Sequence, residues 1–124
     1  MTRNNALWNC KNPYQGEYKK VLCICSAGLL RSPTMAKVLS ETYGYNTRAA
    51  GITEEYALID VTDVLIEWAD EIVVAEKEIG YTLMSKFPEV KEYICLDIPD
   101  HFSYCDPKLI QIISERYQES IHGN

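Results

Sequence analysis

Val21-Leu22-Cys23-Ile24-Cys25, then Ser26-Ala27-Gly28-Leu29-Leu30, then Arg31-Ser32-Pro33: this stretch decides how the rest of the chain is read. The first five residues have the length and apolar character of a buried strand. Five small or apolar residues follow as a loop, and Arg31-Ser32-Pro33 opens a helix. Pro33 suits a first helical turn, where its missing N–H has no partner to lose. A loop between a strand and a helix N-terminus is a pocket for a tetrahedral oxyanion. Backbone N–H groups converge on the anion, and the helix adds roughly half a positive charge. The same field favours a thiolate at Cys25, which makes that residue a nucleophile. Arg31 offers a planar fork that matches two phosphate oxygens, a geometry lysine lacks. The bland reading is a buried strand cysteine and a surface arginine that merely share a turn. Gly28 within the loop, Ser32-Pro33 after it and the helical period that follows argue for the pocket instead.

The helix continues through Met35, Val38, Leu39 and Thr42-Tyr43 on one face, and Gly44 stops it. A short strand is expected near Thr47 to Gly51. A second helix, capped by Asp60 or Thr62, carries Val64, Leu65 and Trp68. Ile72 to Ala75 reads as the next strand. Ile79, Leu83, Met84 and Phe87 mark a third helix that Pro88 ends, although Gly80 inside it weakens the pattern. Tyr93 to Leu96 is the fourth strand. Asp106-Pro107 is a helix cap followed by proline, and Leu109, Ile110, Ile113 and Tyr117 line the last helix. Strands alternating with helices give a single-domain α/β fold: a four-stranded parallel sheet with helices on both faces. The anion-binding loop follows its first strand, at the strand ends where such sheets bind ligands. Residues 1–19 are polar and read as an arm or irregular extension, with Leu7-Trp8 docking on the domain of residues 20–124.

At 124 residues the chain is long enough to bury one core. It carries a net charge of −6, which argues against a general nucleic-acid binder. The charge is uneven: residues 1–50 hold seven Lys or Arg against two acids, and residues 51–124 hold five against sixteen. An acidic remainder suits a small phosphorylated ligand or a basic peptide rather than a large polyanion. No apolar run approaches the ~20 residues of a membrane span, and the first residues do not resemble a secretory signal. An intracellular, reducing setting is expected. The five cysteines, at 10, 23, 25, 95 and 105, show no metal-ligand spacing. Cys23, two residues from Cys25 on the same side of the strand, reads as core packing.

From about Lys20 to Ile121 the sequence resembles the low-molecular-weight protein tyrosine phosphatases. Their signature runs strand, Cys-x5-Arg-Ser, helix, with a distant loop that supplies an acid. It is similar to a shorter subgroup with Leu-Arg-Ser-Pro-Thr in the loop and Asp-Ile-Pro-Asp downstream, here Leu30 to Thr34 and Asp97 to Asp100. The resemblance implies a cytoplasmic phosphatase that needs neither cofactor nor metal. Its substrate would be a phosphorylated protein or a small phosphomonoester. Cys25 would attack phosphorus and form a phosphocysteine intermediate. Arg31 would hold the equatorial oxygens, and Ser26, Ala27, Gly28, Leu29 and Leu30 would line the anion. Ser32 would donate to the Cys25 thiolate, or simply cap the helix.

A phosphate-ester oxygen is a poor leaving group until it is protonated. Asp100, after Ile98-Pro99, matches the family's acid best; Asp97 and Asp106 compete, and Asp106 suits a helix cap better. His101 reads as an exposed loop residue. Phe102, Tyr104 and Tyr56 are candidate walls for an aromatic ester, or packing within their own loops. Glu54-Glu55 would favour a basic flank on a peptide, or form a solvated turn. Where the family carries a loop asparagine and a serine on the second strand, this chain has Gly28 and Ala49-Ala50-Gly51, so the usual side-chain bracing of the loop is missing. Leu30 replaces a second loop cysteine. Three rivals remain: an arsenate reductase, which needs two further cysteines in relay; a non-catalytic phosphate-binding module; and a phosphoryl-carrier domain. The last two have no need of an acid.

Overall fold

Val21, Leu22, Cys23 and Ile24 are wholly shielded from solvent, so the apolar run is the centre of a sheet. The computed structural model describes residues 9–10 (backbone only), 18–26, 31–53, 59–99 and 102–122. Its elements in chain order are β1 (Asn9–Cys10), β2 (Lys20–Cys25), α1 (Arg31–Tyr43), β3 (Asn46–Gly51), α2 (Asp63–Trp68), β4 (Glu71–Val74), α3 (Lys77–Lys86), β5 (Ile94–Cys95) and α4 (Pro107–Ile121). The sheet runs β1-β3-β2-β4-β5. The four strands from β2 onward are mutually parallel, as the alternation of elements requires. To these the structure adds β1, which pairs antiparallel with β3 through Asn9–Arg48 and Cys10–Thr47. It lies inside the stretch read as an arm; Leu7 and Trp8 lie outside the described residues.

The chain leaves β2 toward β3 on one side and later returns to β4 on the other. Right-handed crossovers then put α1 on one face of the sheet, α2 and α3 on the opposite face. α4 comes back to pack against α1. The carboxyl end of β2 is therefore the point at which the winding reverses, the crevice that doubly wound sheets use for ligands.

Local chemistry explains the boundaries. Gly44 takes φ 77°, and its N–H bonds the Ser40 carbonyl at 2.9 Å, so α1 ends there. The Thr62 hydroxyl accepts from the Leu65 N–H at 3.3 Å and caps α2. Asp106 Oδ1 accepts from the Lys108 N–H at 2.8 Å, with Pro107 as the first residue of α4. Gly80 belongs to α3 despite its low propensity, because the helix there lies directly against the Tyr93 ring. Among the described residues no helix is long and apolar enough to cross a membrane.

The end of the sheet away from the β2 loop is closed by a polar cluster. Tyr43 stacks on Tyr45 at 5.3 Å between ring centroids, and Tyr117 meets Tyr43 edge-on. The Tyr117 hydroxyl donates to Glu71 Oε2 at 2.7 Å and lies 3.3 Å from the Tyr45 hydroxyl. Lys19 Nζ pairs with Glu71 Oε1 at 3.0 Å and sits over the Tyr45 ring. Burial, then the bonds to Tyr45 and Glu71, push the Tyr117 phenol above its ordinary 10.0. For Lys19, burial alone would lower the value, but the hydrogen bond and charge of Glu71 outweigh it and raise the ammonium above 10.5.

Two outcomes follow from these contacts. A Cβ on Gly80 would stand 2.3 Å from Tyr93 Cζ. Gly80→Ala is therefore expected to cost about 1–3 kcal/mol in urea unfolding, where an unobstructed helix would gain about 1. In a Tyr93→Ala background the sign should reverse; the same loss in both backgrounds would mean that the ring is not the obstacle. For Tyr117 and Lys19 the folded values lie above the unfolded ones. Their stabilisation is thus present below pH 10.0 and lost as pH rises beyond it. Unfolding free energy measured against pH should fall above that value. Tyr117→Phe should flatten the fall and cost about 1–2 kcal/mol at neutral pH.

Candidate active site

The first turn of α1 is buried although it is polar: Arg31, Ser32 and Thr34 are each 1% exposed or less. A helix start packed into a protein with such residues needs partners for every polar group. The partners come from five other places in the fold: β2, β3, and the stretches just before α3, after β5 and before α4.

Cys25, the last residue of β2, is buried, with Sγ 3.2 Å from Ser32 Oγ. The thiol donates to that oxygen, and the Ser32 hydroxyl donates in turn to the Ala50 carbonyl on β3 at 3.4 Å. When the thiol is ionised, the Ser32 proton has a stronger acceptor in Sγ and can turn to it without leaving the site. The backbone of Ala49-Ala50-Gly51 thus supplies at Ala50 a brace for Ser32. The start of the loop is also fastened to the segment after β3: Cys25 and Ser26 carbonyls accept from Ile52 and Thr53 N–H at 3.0 and 2.9 Å.

Arg31 reaches across the carboxyl end of the sheet. Nη1 donates to the Ile98 carbonyl at 2.9 Å and pairs with Glu76 Oε2 at 3.1 Å. Glu76 is the N-cap residue of α3, yet its side chain makes no cap bond; its carboxylate goes to Arg31. Ile98 is itself anchored, its N–H bonding the Ala75 carbonyl at 2.7 Å. Thr34 faces the other way, accepting the Cys105 N–H at 3.0 Å, and Cys105 holds φ 58°.

Of the residues read as a site, the structure brings Cys25, Arg31 and Ser32 to one end of the sheet, with Ser26 entering the loop. Ala27, Gly28, Leu29, Leu30, Asp100 and His101 lie outside the described residues, as do Glu54, Glu55 and Tyr56. Asp106 caps α4 through Oδ1. Asp97 is exposed at φ 57° and lines a depression of about 310 Å³ with Arg116, Glu119 and Ser120. Phe102 is half-buried against the core, while Tyr104 is exposed. Burial pushes the Cys95 thiol above its usual range, and none of the four described cysteines is disulfide-bonded. Among the described residues no group of His, Cys, Asp and Glu has the arrangement of a metal site. Glu76 was not singled out by the sequence. Its one signal is position, two residues past β4, where parallel strands point toward a ligand crevice.

No family model and no curated protein matches the sequence. Solved structures do. Wzb of Vibrio vulnificus, in complex with benzylphosphonate, superposes with a TM-score of 0.68 at 21% identity, over 83% of this chain and 97% of that one. The YwlE arginine phosphatase of Geobacillus stearothermophilus gives 0.65 at 19%, over 84% and 93%. The tyrosine phosphatase Wzb of Escherichia coli K30, in complex with phosphate, gives 0.67 at 15%, over 84% and 96%. The chain has the fold of the low-molecular-weight protein tyrosine phosphatases, as its sequence led one to expect.

The pairing of a buried guanidinium with Glu76 makes a stability statement. Glu76 is one-third exposed, so solvent screens part of its effect. Glu76→Gln should cost about 1–3 kcal/mol in urea unfolding, since it removes a carboxylate paired with a buried charge. Adding Arg31→Met should return part of that loss. Strictly additive losses would mean that the two side chains do not depend on each other.

Proposed function

We propose that this chain is a cysteine-dependent phosphatase, hydrolysing a phosphomonoester such as phosphotyrosine or a small phosphorylated molecule. The observation that carries this reading is the juxtaposition at the end of β2: a buried thiol bonded to the Ser32 hydroxyl, with a buried arginine on the same helical turn. Stability alone gives no reason to bury a guanidinium in the first turn of a helix. Recognition of a dianion does, because fixed positive groups in a water-poor site cost no reorganisation when charge shifts. The fold's solved members include a tyrosine phosphatase and an arginine phosphatase, which supports phosphoryl transfer as the chemistry.

In the proposed reaction the Cys25 thiolate attacks phosphorus as the bond to the leaving oxygen breaks. Arg31 and the N–H groups at the start of α1 hold the three equatorial oxygens. Asp100 gives its proton to the leaving oxygen. Water then attacks phosphocysteine, Asp100 takes up a proton from that water, and phosphate leaves with the thiolate restored. Asp97 and Asp106 are weaker candidates for the acid: one lies against α4, the other caps it. No step calls for a metal or cofactor. The setting proposed is the cytoplasm, where thiols stay reduced.

Cys25→Ser should abolish hydrolysis of para-nitrophenyl phosphate while keeping the fold and anion binding, because serine's hydroxyl stays protonated. Arg31→Lys should fail as well, since a point charge does not replace the fork. Phosphate and vanadate should compete with substrate, and EDTA should leave the rate unchanged. Near-normal turnover in Cys25→Ser, or loss of activity to a chelator, would sink the mechanism. Binding of phosphate without turnover in the native chain would turn the reading to a phosphate-binding module.

Asp100→Asn should lower kcat by roughly 10² to 10⁴ for an alkyl or phenyl ester, and by much less for a nitrophenyl ester, whose leaving group needs no proton. If Asp97→Asn or Asp106→Asn shows that pattern instead, the acid is assigned to the wrong residue and the Cys25–Arg31 pocket stands.

A further inference from the structure

Between β5 and Pro99 the chain passes through three residues whose carbonyls are all bonded. The N–H groups of Leu96 and Ile98 bond the carbonyls of Val74 and Ala75 at 3.0 and 2.7 Å. On the acceptor side, three successive carbonyls receive guanidinium protons. Arg31 Nη1 bonds Ile98 O at 2.9 Å, whereas Arg116 Nη1 on α4 bonds both Leu96 O, at 3.0 Å, and Asp97 O.

Asp97 stands between them at φ 57°. Aspartate tolerates this left-handed region better than most residues, yet the conformation is held by its surroundings. The bonds to Val74, Ala75 and Arg31 fix the two ends of the turn. Arg116 alone among the described side chains fixes its middle from the α4 side. Without it, the turn at Asp97 is free to open toward ordinary φ, and the direction in which Pro99 leaves the sheet changes with it.

We infer that Arg116 is a positioning residue for the acid. It sets the turn at Asp97 and so the direction of the chain at Pro99, the residue that precedes Asp100 in the sequence. The inference rests on the phosphatase reading above for its consequence in catalysis, but not for the geometry of the clamp. A guanidinium suits the task because the two protons of Nη1 are fixed in its plane and serve two neighbouring carbonyls; an ammonium, free to rotate, serves them less rigidly. No charge partner is needed, since the carbonyl dipoles complete the site.

The test uses the full chain with Arg116→Met, which keeps the length of the side chain and removes its donors, and Arg116→Lys, which keeps the charge. Three quantities are read: kcat on phenyl and on nitrophenyl phosphate, inhibition by inorganic phosphate, and amide hydrogen exchange at Leu96 and Ile98. In Arg116→Met, kcat on phenyl phosphate should fall roughly ten- to hundredfold, as a misplaced group does, with a much smaller loss on the nitrophenyl ester. Phosphate inhibition should change far less than kcat, since Cys25 keeps its bond to Ser32 and Arg31 its pairing with Glu76. Exchange at Ile98 should quicken about tenfold, and Arg116→Lys should fall between Met and the native chain. Equal losses on both esters would reduce Arg116 to a structural staple and overturn the inference; so would unchanged exchange at Ile98. A native chain that binds phosphate but hydrolyses neither ester would instead overturn the phosphatase reading. The exchange at Ile98 would still decide whether Arg116 holds the turn.

Discussion

The site depends on how one buried positive charge is answered. Arg31 sits 1% exposed at the start of α1, and leaving its guanidinium unpaired there would cost several kcal/mol. Among the described residues the answer comes from two directions. Glu76, just past β4, supplies a carboxylate, and Ile98, just past β5, supplies a carbonyl. Each of those residues is fixed by an element of its own, Glu76 by α3 and Ile98 by its bond to Ala75. The guanidinium is therefore a knot tying the ends of two strands, β4 and β5, to the first turn of the helix. With that knot in place, the position of Cys25 relative to Arg31 is no longer a property of the loop alone.

In the proposed reaction this arrangement would suit a thiol nucleophile for an electrostatic reason. Oxygen-rich phosphoryl groups carry their negative charge through the transition state, so the catalyst's task is to meet that charge without rearranging. A guanidinium held on one nitrogen by Glu76 and Ile98 has its plane set before a ligand arrives. Ser32 acts in the same spirit toward sulfur: braced on the Ala50 carbonyl, its hydroxyl stands beside the thiol whether or not the thiol carries its proton. The rest of the molecule keeps these distances short. α1 is pinned to β3 by the Thr47 hydroxyl on the Ala36 carbonyl, and α4 packs on α1 from outside.

The parallel sheet was legible because its information is local. Val21 to Cys25 reads as a strand without knowing its neighbours, Gly44 stops a helix by its own φ, and Asp106-Pro107 caps one from inside a single turn. What the sequence hid is the long-range part. Asn9–Cys10 is too short to show alternation, and its strand exists only because β3 has an open edge to pair with. Glu76 looked like any acid after a strand; only the fold places it against Arg31. Gly80 weakened a helix by propensity, and the reason for a glycine there, the Tyr93 ring, lies on another element. The absent serine of β3 suggested a loosely braced loop, and residues 27–30 of that loop lie outside the described ones; the β3 carbonyl of Ala50 bonds Ser32 on the helix instead.

The claim on which all of this turns is that Cys25 forms a covalent bond to phosphorus. Rapid acid quenching of the native chain during turnover of a labelled aryl phosphate, followed by mapping of the label, tests it directly. The expected result is one phosphoryl group per chain at most, carried on Cys25 and chased off when substrate is withdrawn. Steady turnover with no protein-bound phosphoryl, or a label found on any residue other than Cys25, would contradict it.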